Sequence, residues 1–292
     1  MRYEFSFKDG SPFAIVEGGQ MDKALLRVRP KTSPNEPDPE KVKAIAKKLR
    51  GVANEKQIKQ IVADIEREEG QGGEVSLPSG VLYPWLDKES DRGTWYIAGA
   101  NGSGKSYYTG RILKAFRKCY PKGQIILFSQ KESDPALDKF KPLRIKLDEK
   151  LATYPFELSE FQPNSMVVFD DVDSINSRKV QNAVNDLVDL ILKVGRSARV
   201  NCIITQHIQS NGRSTRNMIN ECANIVLFPQ VGSVHHLEYF MKNYIGLTKE
   251  QMGDVYKTES RYVSFHKNVP MYYFYDKGAR MFSRGGLSKT RV

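Results

Sequence analysis

The sequence predicts an α/β fold: a doubly wound, mainly parallel sheet carrying a small N-terminal α+β appendage. Three observations lead to it. From about Trp85 onward, short apolar runs alternate with helix-length segments, the pattern of parallel strands joined by crossover helices. A glycine-rich stretch at 99–106 falls between one such strand and one such helix, where α/β proteins place a phosphate-binding turn. Before residue 80 the pattern differs, with three strand-like runs followed by two amphipathic helices. The chain therefore divides into 1–80 (strands plus a helical pair), 81–255 (the strand–helix core) and 256–292 (a basic, aromatic hairpin and tail).

In chain order, strands are expected at 3–7, 13–17 and 24–28, with Gly10 and the Gly18-Gly19 pair supplying the turns. Asp38 reads as an N-cap with Pro39 at the first helical position of a helix running to about Arg50. Asn54 followed by Gln57 reads as a capping box for a second helix to about Glu69. Both helices carry apolar residues at helical spacing, and the local charge is nearly balanced, which suits a packing module better than a DNA-reading helix pair. The glycine-rich stretch 70–80 is expected to be a linker. Strands follow at 94–98, 124–128, 144–147, 166–169, 200–205 and 225–228, and helices at 105–118, 177–194, 216–221 and 234–243. RYVSFHKNVPMYYFYDK, at 261–277, reads as a β-hairpin whose aromatics are core, although the same residues interleave with basic ones as in a base-stacking surface.

Composition narrows the class. Apolar residues make up 40% and charged residues 27% of the 292, as in globular chains rather than disordered ones. No apolar run approaches the roughly 20 residues of a bilayer span, and MRYEFSFKDG has no signal-peptide core. Cys119, Cys202 and Cys222 have no CxxC spacing, so buried apolar thiols are expected rather than a disulfide framework or zinc site. The net charge of +11 points to a polyanionic partner. It is uneven: residues 1–88 carry 15 basic and 14 acidic residues (+1), 89–255 carry 22 and 18 (+4), and 256–292 carry 8 and 2 (+6).

The sharpest signal is Gly99-Ala100-Asn101-Gly102-Ser103-Gly104-Lys105-Ser106, a full GxxxxGK(S/T) P-loop that, with Tyr107 following, is expected to bind the nucleotide. Its backbone N–H groups would cradle phosphate oxygens, Lys105 would reach the β- and γ-phosphates of ATP, and Ser106 would ligate Mg2+. Met166-Val167-Val168-Phe169-Asp170-Asp171 supplies the acids at a second strand end. Asp170 would hold Mg2+ and Asp171 would activate water, with Asp173 as a competitor. A third segment, 195–207, runs from a helix end into a strand closing on Gln206, a candidate γ-phosphate sensor. Arg196 or Arg199 could enter a neighbouring subunit's site as an arginine finger, or simply cap the preceding helix. Arg213, Arg216 and His207 are weaker candidates. The stretch 209–216 is polar and basic and could be a pore loop. No guanine-specificity motif (N/T)KxD follows the P-loop and no arginine-rich lid is evident, which argues against a switch GTPase or a small-molecule kinase.

GANGSGKS, then VVFDD, then GRS-x(6)-ITQ and RNMINECANIVLF, in this order and spacing, resemble the genome-packaging ATPases of large double-stranded DNA viruses, poxvirus-type members of the FtsK–HerA superfamily of P-loop ATPases. The likeness spans residues 94–228. It implies an ASCE/RecA-like core that binds ATP and Mg2+ and assembles as a homo-oligomeric ring, a pentamer or hexamer. Such a ring drives double-stranded DNA into a preformed capsid and docks on a capsid or portal-vertex protein. It implies a location in the cytoplasmic viral factory or the virion. Another FtsK–HerA role, in conjugation or phage assembly, and an ATP-binding DNA scaffold without steady turnover are the alternatives.

Overall fold

The computed structural model describes residues 3–30, 39–49, 53–69, 73–207 and 213–282. The chain opens with β1 (Tyr3–Ser6), β2 (Ser11–Glu17) and β3 (Leu25–Pro30), then the helices α1 (Pro39–Lys48) and α2 (Glu55–Glu69). The capping box forms as the sequence requires: Asn54 N donates to Gln57 Oε1, and Gln57 N to Asn54 Oδ1, both at 2.9 Å. Next come β4 (Glu74–Ser76), β5 (Val81–Pro84), β6 (Thr94–Ala98), α3 (Lys105–Cys119), β7 (Ile125–Ser129), α4 (Pro135–Asp138), β8 (Leu143–Lys146) and α5 (Glu149–Thr153). The remainder is β9 (Met166–Phe169), α6 (Arg178–Val194), β10 (Asn201–Gln206), α7 (Arg213–Glu221), β11 (Asn224–Leu227), α8 (Val234–Phe240), α9 (Lys249–Lys257), β12 (Val263–His266), β13 (Tyr272–Tyr275) and β14 (Gly278–Met281).

Two sheets result. The small one has order β1-β3-β2-β5, and the large one β4-β14-β13-β12-β11-β6-β10-β9-β7-β8. In the large sheet β11, β6, β10, β9, β7 and β8 are mutually parallel, as the strand–helix alternation predicts. Strand β10 lies between β6, which leads into the P-loop, and β9, which ends in the acids. The inner parallel strands are continuous apolar runs because helices cover both faces: every residue of β6, β7 and β9 is buried, whereas the edge strand β8 is not. One core lies between the sheet and α6, with Val184, Val188, Ile191 and Leu192 on the helix's inner face. The other lies between the sheet and α3, with Tyr108, Ile112 and Phe116. Helix α6 starts where Ser177 Oγ accepts from Val180 N. At its C-terminus the Arg92 guanidinium donates to the Ile191 and Leu192 carbonyls, a cation meeting the negative end of the helix dipole.

The structure departs from the sequence reading in identifiable places. The expected linker contains β4, which pairs with β14, and the unforeseen β5 joins the small sheet through β2. The C-terminal segment is a three-stranded antiparallel meander, β12-β13-β14, attached to β11. Its aromatics are core: Phe265 and Tyr273 pack on the α6 face, and Tyr262, Tyr272 and Phe274 on the α3 face. Period-two alternation on a sheet buried on both sides leaves none of these five for base stacking. The three cysteines are free and buried. Residues 209–212 of the expected pore loop, and Arg284, Lys289 and Arg291 of the basic tail, lie outside the described residues.

Candidate functional site

Strand β6 ends in the turn of the P-loop, whose first N–H is tied to the neighbouring strand: Gly99 N donates to Gln206 O at 3.2 Å. Gly102 (φ 73°) and Gly104 (φ 114°) take left-handed conformations that a side chain would strain. Gly99 is needed for a different reason, because a Cβ there would lie 2.4 Å from Ser103 Oγ and 2.6 Å from the Phe228 ring. Asn101 and Gly102 are exposed at the loop tip, Ala100, Gly104 and Ser106 are partly buried, and Ser103 is buried. Gly104 caps α3 without a side-chain hydrogen bond, so the first N–H groups of this 15-residue helix are left for a ligand.

Lys105 is 7% exposed and folds back over the loop. Its Nζ donates to Gly99 O at 3.1 Å and Ala100 O at 3.4 Å, with Asp171 Oδ1 at 3.5 Å. The carbonyl bond to Ala100 and the Asp171 contact are long, which leaves the ammonium room for an incoming anion.

Across from the lysine stand the two acids. Asp170, 3% exposed, accepts from Ser129 Oγ (3.0 Å) and Thr205 Oγ1 (3.1 Å). Asp171 has φ 48°, and its backbone N donates to Thr205 Oγ1 at 2.8 Å. Lys131, just past the end of β7, bridges the pair, 3.2 Å from Asp170 Oδ2 and 2.8 Å from Asp171 Oδ2. Burial works to raise the Asp171 pKa, but the hydrogen bond from Lys131 and the charges of Lys105 and Lys131 outweigh it and hold the carboxyl below its ordinary range. A recess of about 160 Å³ opens here, lined by Ser129, Gln130, Lys131, Asp170, Asp171 and Ser174. Asp173 is engaged elsewhere, accepting from His207 N at 3.0 Å and meeting His207 Nδ1 at 3.2 Å.

The third segment divides. Along β10 successive side chains face opposite sides of the sheet. Thr205 faces the acids, whereas Gln206, 4% exposed, is turned the other way. Its Oε1 accepts from the Tyr96 hydroxyl at 2.9 Å, and its Nε2 donates to Met218 Sδ at 3.4 Å. The residue of this strand that meets the acids is therefore Thr205. Arg196 and Arg199 precede β10 and so lie at the strand-start edge, opposite the P-loop. Arg196 Nε donates to Asp91 Oδ2 at 2.6 Å, and Arg199 Nη2 to Lys88 O at 3.1 Å. A six-residue strand spans about 20 Å, so neither arginine reaches its own chain's P-loop. Arg216 is exposed on α7.

Sequence reasoning missed Lys131, Ser129 and Arg261. Arg261 Nε donates to Ser103 O at 3.2 Å and Nη2 to Gly102 O at 3.4 Å. Tyr107 was expected at the nucleotide. Its ring is 52% exposed, and its hydroxyl lies 3.2 Å from that of Tyr83 on β5.

No protein-family model matches the chain. The chain is 31% identical over 221 residues to the uncharacterized protein V3 of Sputnik virophage, covering 75% of this chain and 89% of that protein. Among solved structures, it is similar to the DNA-packaging ATPase B204 of Sulfolobus turreted icosahedral virus, with 17% identity, a TM-score of 0.46, and coverage of 64% of this chain and 97% of that one. It is also similar to the cytoplasmic domain of the type VII secretion ATPase EccC of Thermomonospora curvata, with 15% identity, a TM-score of 0.45, and coverage of 71% and 28%.

Proposed function

The chain belongs to the family of the Sputnik virophage protein V3, and from that premise and the site's geometry we propose that it is an ATPase whose hydrolysis drives double-stranded DNA into a preformed viral capsid. The observation that carries the ATPase reading is the facing of Lys105 and Asp171 across 3.5 Å, one from the P-loop and the other from the acid strand two positions away in the sheet. The glycine turn and the free N-terminus of α3 receive the phosphates, and Lys105 meets the β/γ end. Asp171, held ionised by its lysine neighbours, accepts a proton from the attacking water. Thr205 and Ser129 fix the Asp170 carboxylate by hydrogen bonds.

The Asp170 carboxylate and the Ser106 hydroxyl are hard oxygen donors of the kind Mg2+ takes alongside phosphate oxygens and water, so the residues fit that ion. When bound it would neutralise charge developing on the phosphates. The packaging role rests on the motif order from GANGSGKS to RNMINECANIVLF. In a homo-oligomeric ring, Arg196 or Arg199, at the edge opposite the P-loop, would complete a neighbour's site. The ring would dock on a capsid or portal-vertex protein in the viral factory.

The test is ATP turnover of the purified chain with and without double-stranded DNA, with particle size read on the same sample. DNA should raise turnover in an oligomer, and Lys105→Ala should abolish it. Full DNA-stimulated turnover in that variant would refute the site assignment. ATP binding without turnover would leave a scaffold.

A further inference from the structure

The order of strands fixes which way a bound nucleotide must lie. The P-loop follows β6. The acids and Lys131 gather on the β10, β9 and β7 side of it, whereas β11 and β12 lie on the other side. A triphosphate whose γ end meets Asp170, Asp171 and Lys131 therefore directs its ribose and base towards β11 and β12. Strand β12 is antiparallel to β11, with Leu227 opposite Val263, so the residues just before Val263 arrive at the P-loop edge of the sheet. Arg261 is one of them.

Its backbone is anchored on three sides. Ser260 Oγ donates to Tyr262 O at 2.8 Å and accepts from Asp276 N at 3.3 Å. The Tyr262 hydroxyl donates to Leu82 O. The Tyr262 ring packs edge-on against Tyr108 of α3, with centroids 4.8 Å apart. The guanidinium itself is exposed, and its hydrogen bonds are to the outer carbonyls of Gly102 and Ser103. A Cβ on Gly104 would come within 3.3 Å of Arg261 Nε, so the glycine that starts α3 also makes room for this side chain. Among the described residues no carboxylate pairs with it. An exposed, planar cation thus sits on a rigid mount at the nucleoside end of the phosphate loop.

The geometry points to Arg261 as a nucleoside-binding residue that stacks its guanidinium on the purine base; this rests on the ATP reading above. A guanidinium stacks on aromatic planes, whereas a lysine ammonium offers only a point charge. Loss of the stack should weaken ATP about tenfold and leave a bare polyphosphate untouched.

Titration calorimetry of the full chain with ATP and with inorganic tripolyphosphate, both with Mg2+, separates the possibilities. Arg261→Ala and Arg261→Lys should each weaken ATP about tenfold, with tripolyphosphate affinity and melting temperature unchanged. Parallel losses for both ligands would overturn the proposal, since Arg261 would then act by holding the loop. Full ATP affinity in Arg261→Lys would overturn it too, by showing that charge suffices. A wild-type chain that binds tripolyphosphate as tightly as ATP would refute base recognition alone, whereas one that binds neither would refute the nucleotide reading itself.

Discussion

Replacing Lys131 by methionine removes the ammonium shared by Asp170 and Asp171 while keeping the length of the side chain. At 3.2 and 2.8 Å and an effective dielectric of about 20, each contact carries a gross attraction of about 5–6 kcal/mol. The lysine side chain is 45% exposed, so solvent screens much of this. A charged hydrogen bond contributes a net of about 1.5–3 kcal/mol. The expected loss is therefore about 2 kcal/mol, or about 3 °C in melting temperature for a chain of this size. Without Lys131, Asp171 keeps only the more distant Lys105, and the almost wholly buried Asp170 loses its cation among the described residues. A bound divalent cation would supply the missing positive charge, so the deficit should shrink when Mg2+ and a non-hydrolysable ATP analogue are present. Thermal unfolding of both proteins, with and without these ligands, reads the difference directly. An equal deficit in both conditions, or none in either, would refute the view that Lys131 neutralises the carboxylates of a nucleotide site.

Asp171→Asn should bind ATP as the wild type does while turnover falls about 100-fold or more, the contribution of a positioned general base; unchanged turnover in a steady-state assay would shift the role to Asp173. Burial pushes His266 down to about 4 from an ordinary 6.5, so below pH 6.5 the unfolded chain binds the proton and the folded chain does not. Stability is therefore full above pH 6.5 and declines as the pH falls towards 4, by about 3 kcal/mol at most. His266→Asn should remove that decline between urea titrations at pH 7 and pH 4.5, and an identical acid loss in the variant would count against it. Arg196→Ala subunits, inactive alone if the arginine acts across subunits, should regain partial turnover when mixed with Lys105→Ala subunits. Intact mixed assemblies without recovery would dismiss the finger.

The parts of the fold that were legible in the sequence are those set by local pattern. Apolar runs bounded by turn residues located β6, β7, β9, β10 and β11, and the capping pair Asn54 and Gln57 marked α2. The P-loop was legible because its glycines answer to backbone geometry that no other residue tolerates. What escaped depends on partners far away in the chain. Strands β4 and β14 are short, and only pairing across the sheet distinguishes them from turns. Lys131 carries no motif; it matters because β7 lies beside β9, a neighbour that only the strand order supplies. Thr205 and Gln206 are adjacent, and choosing between them needs the facing of β10, which the sequence does not mark when both faces of a sheet are buried. Arg261 was seen as one basic residue among eight after Tyr256, and its place at the P-loop edge follows from the antiparallel turn of β12.

The pairing of β4 with β14 sets a timetable for synthesis. Glu74 lies opposite Arg280, about 200 residues later, and at about 5–20 residues per second a ribosome needs some 10–40 s to cover that distance. Throughout that interval β4 has no partner, and the three strands that join it to the parallel sheet appear only at its end. The parallel strands can assemble during this wait, but until β12 emerges their β11 edge stays open and able to pair with another chain. A nascent or truncated product ending before Gly278 thus leaves both β4 and β13 without their β14 partner, and such open strand edges favour aggregation.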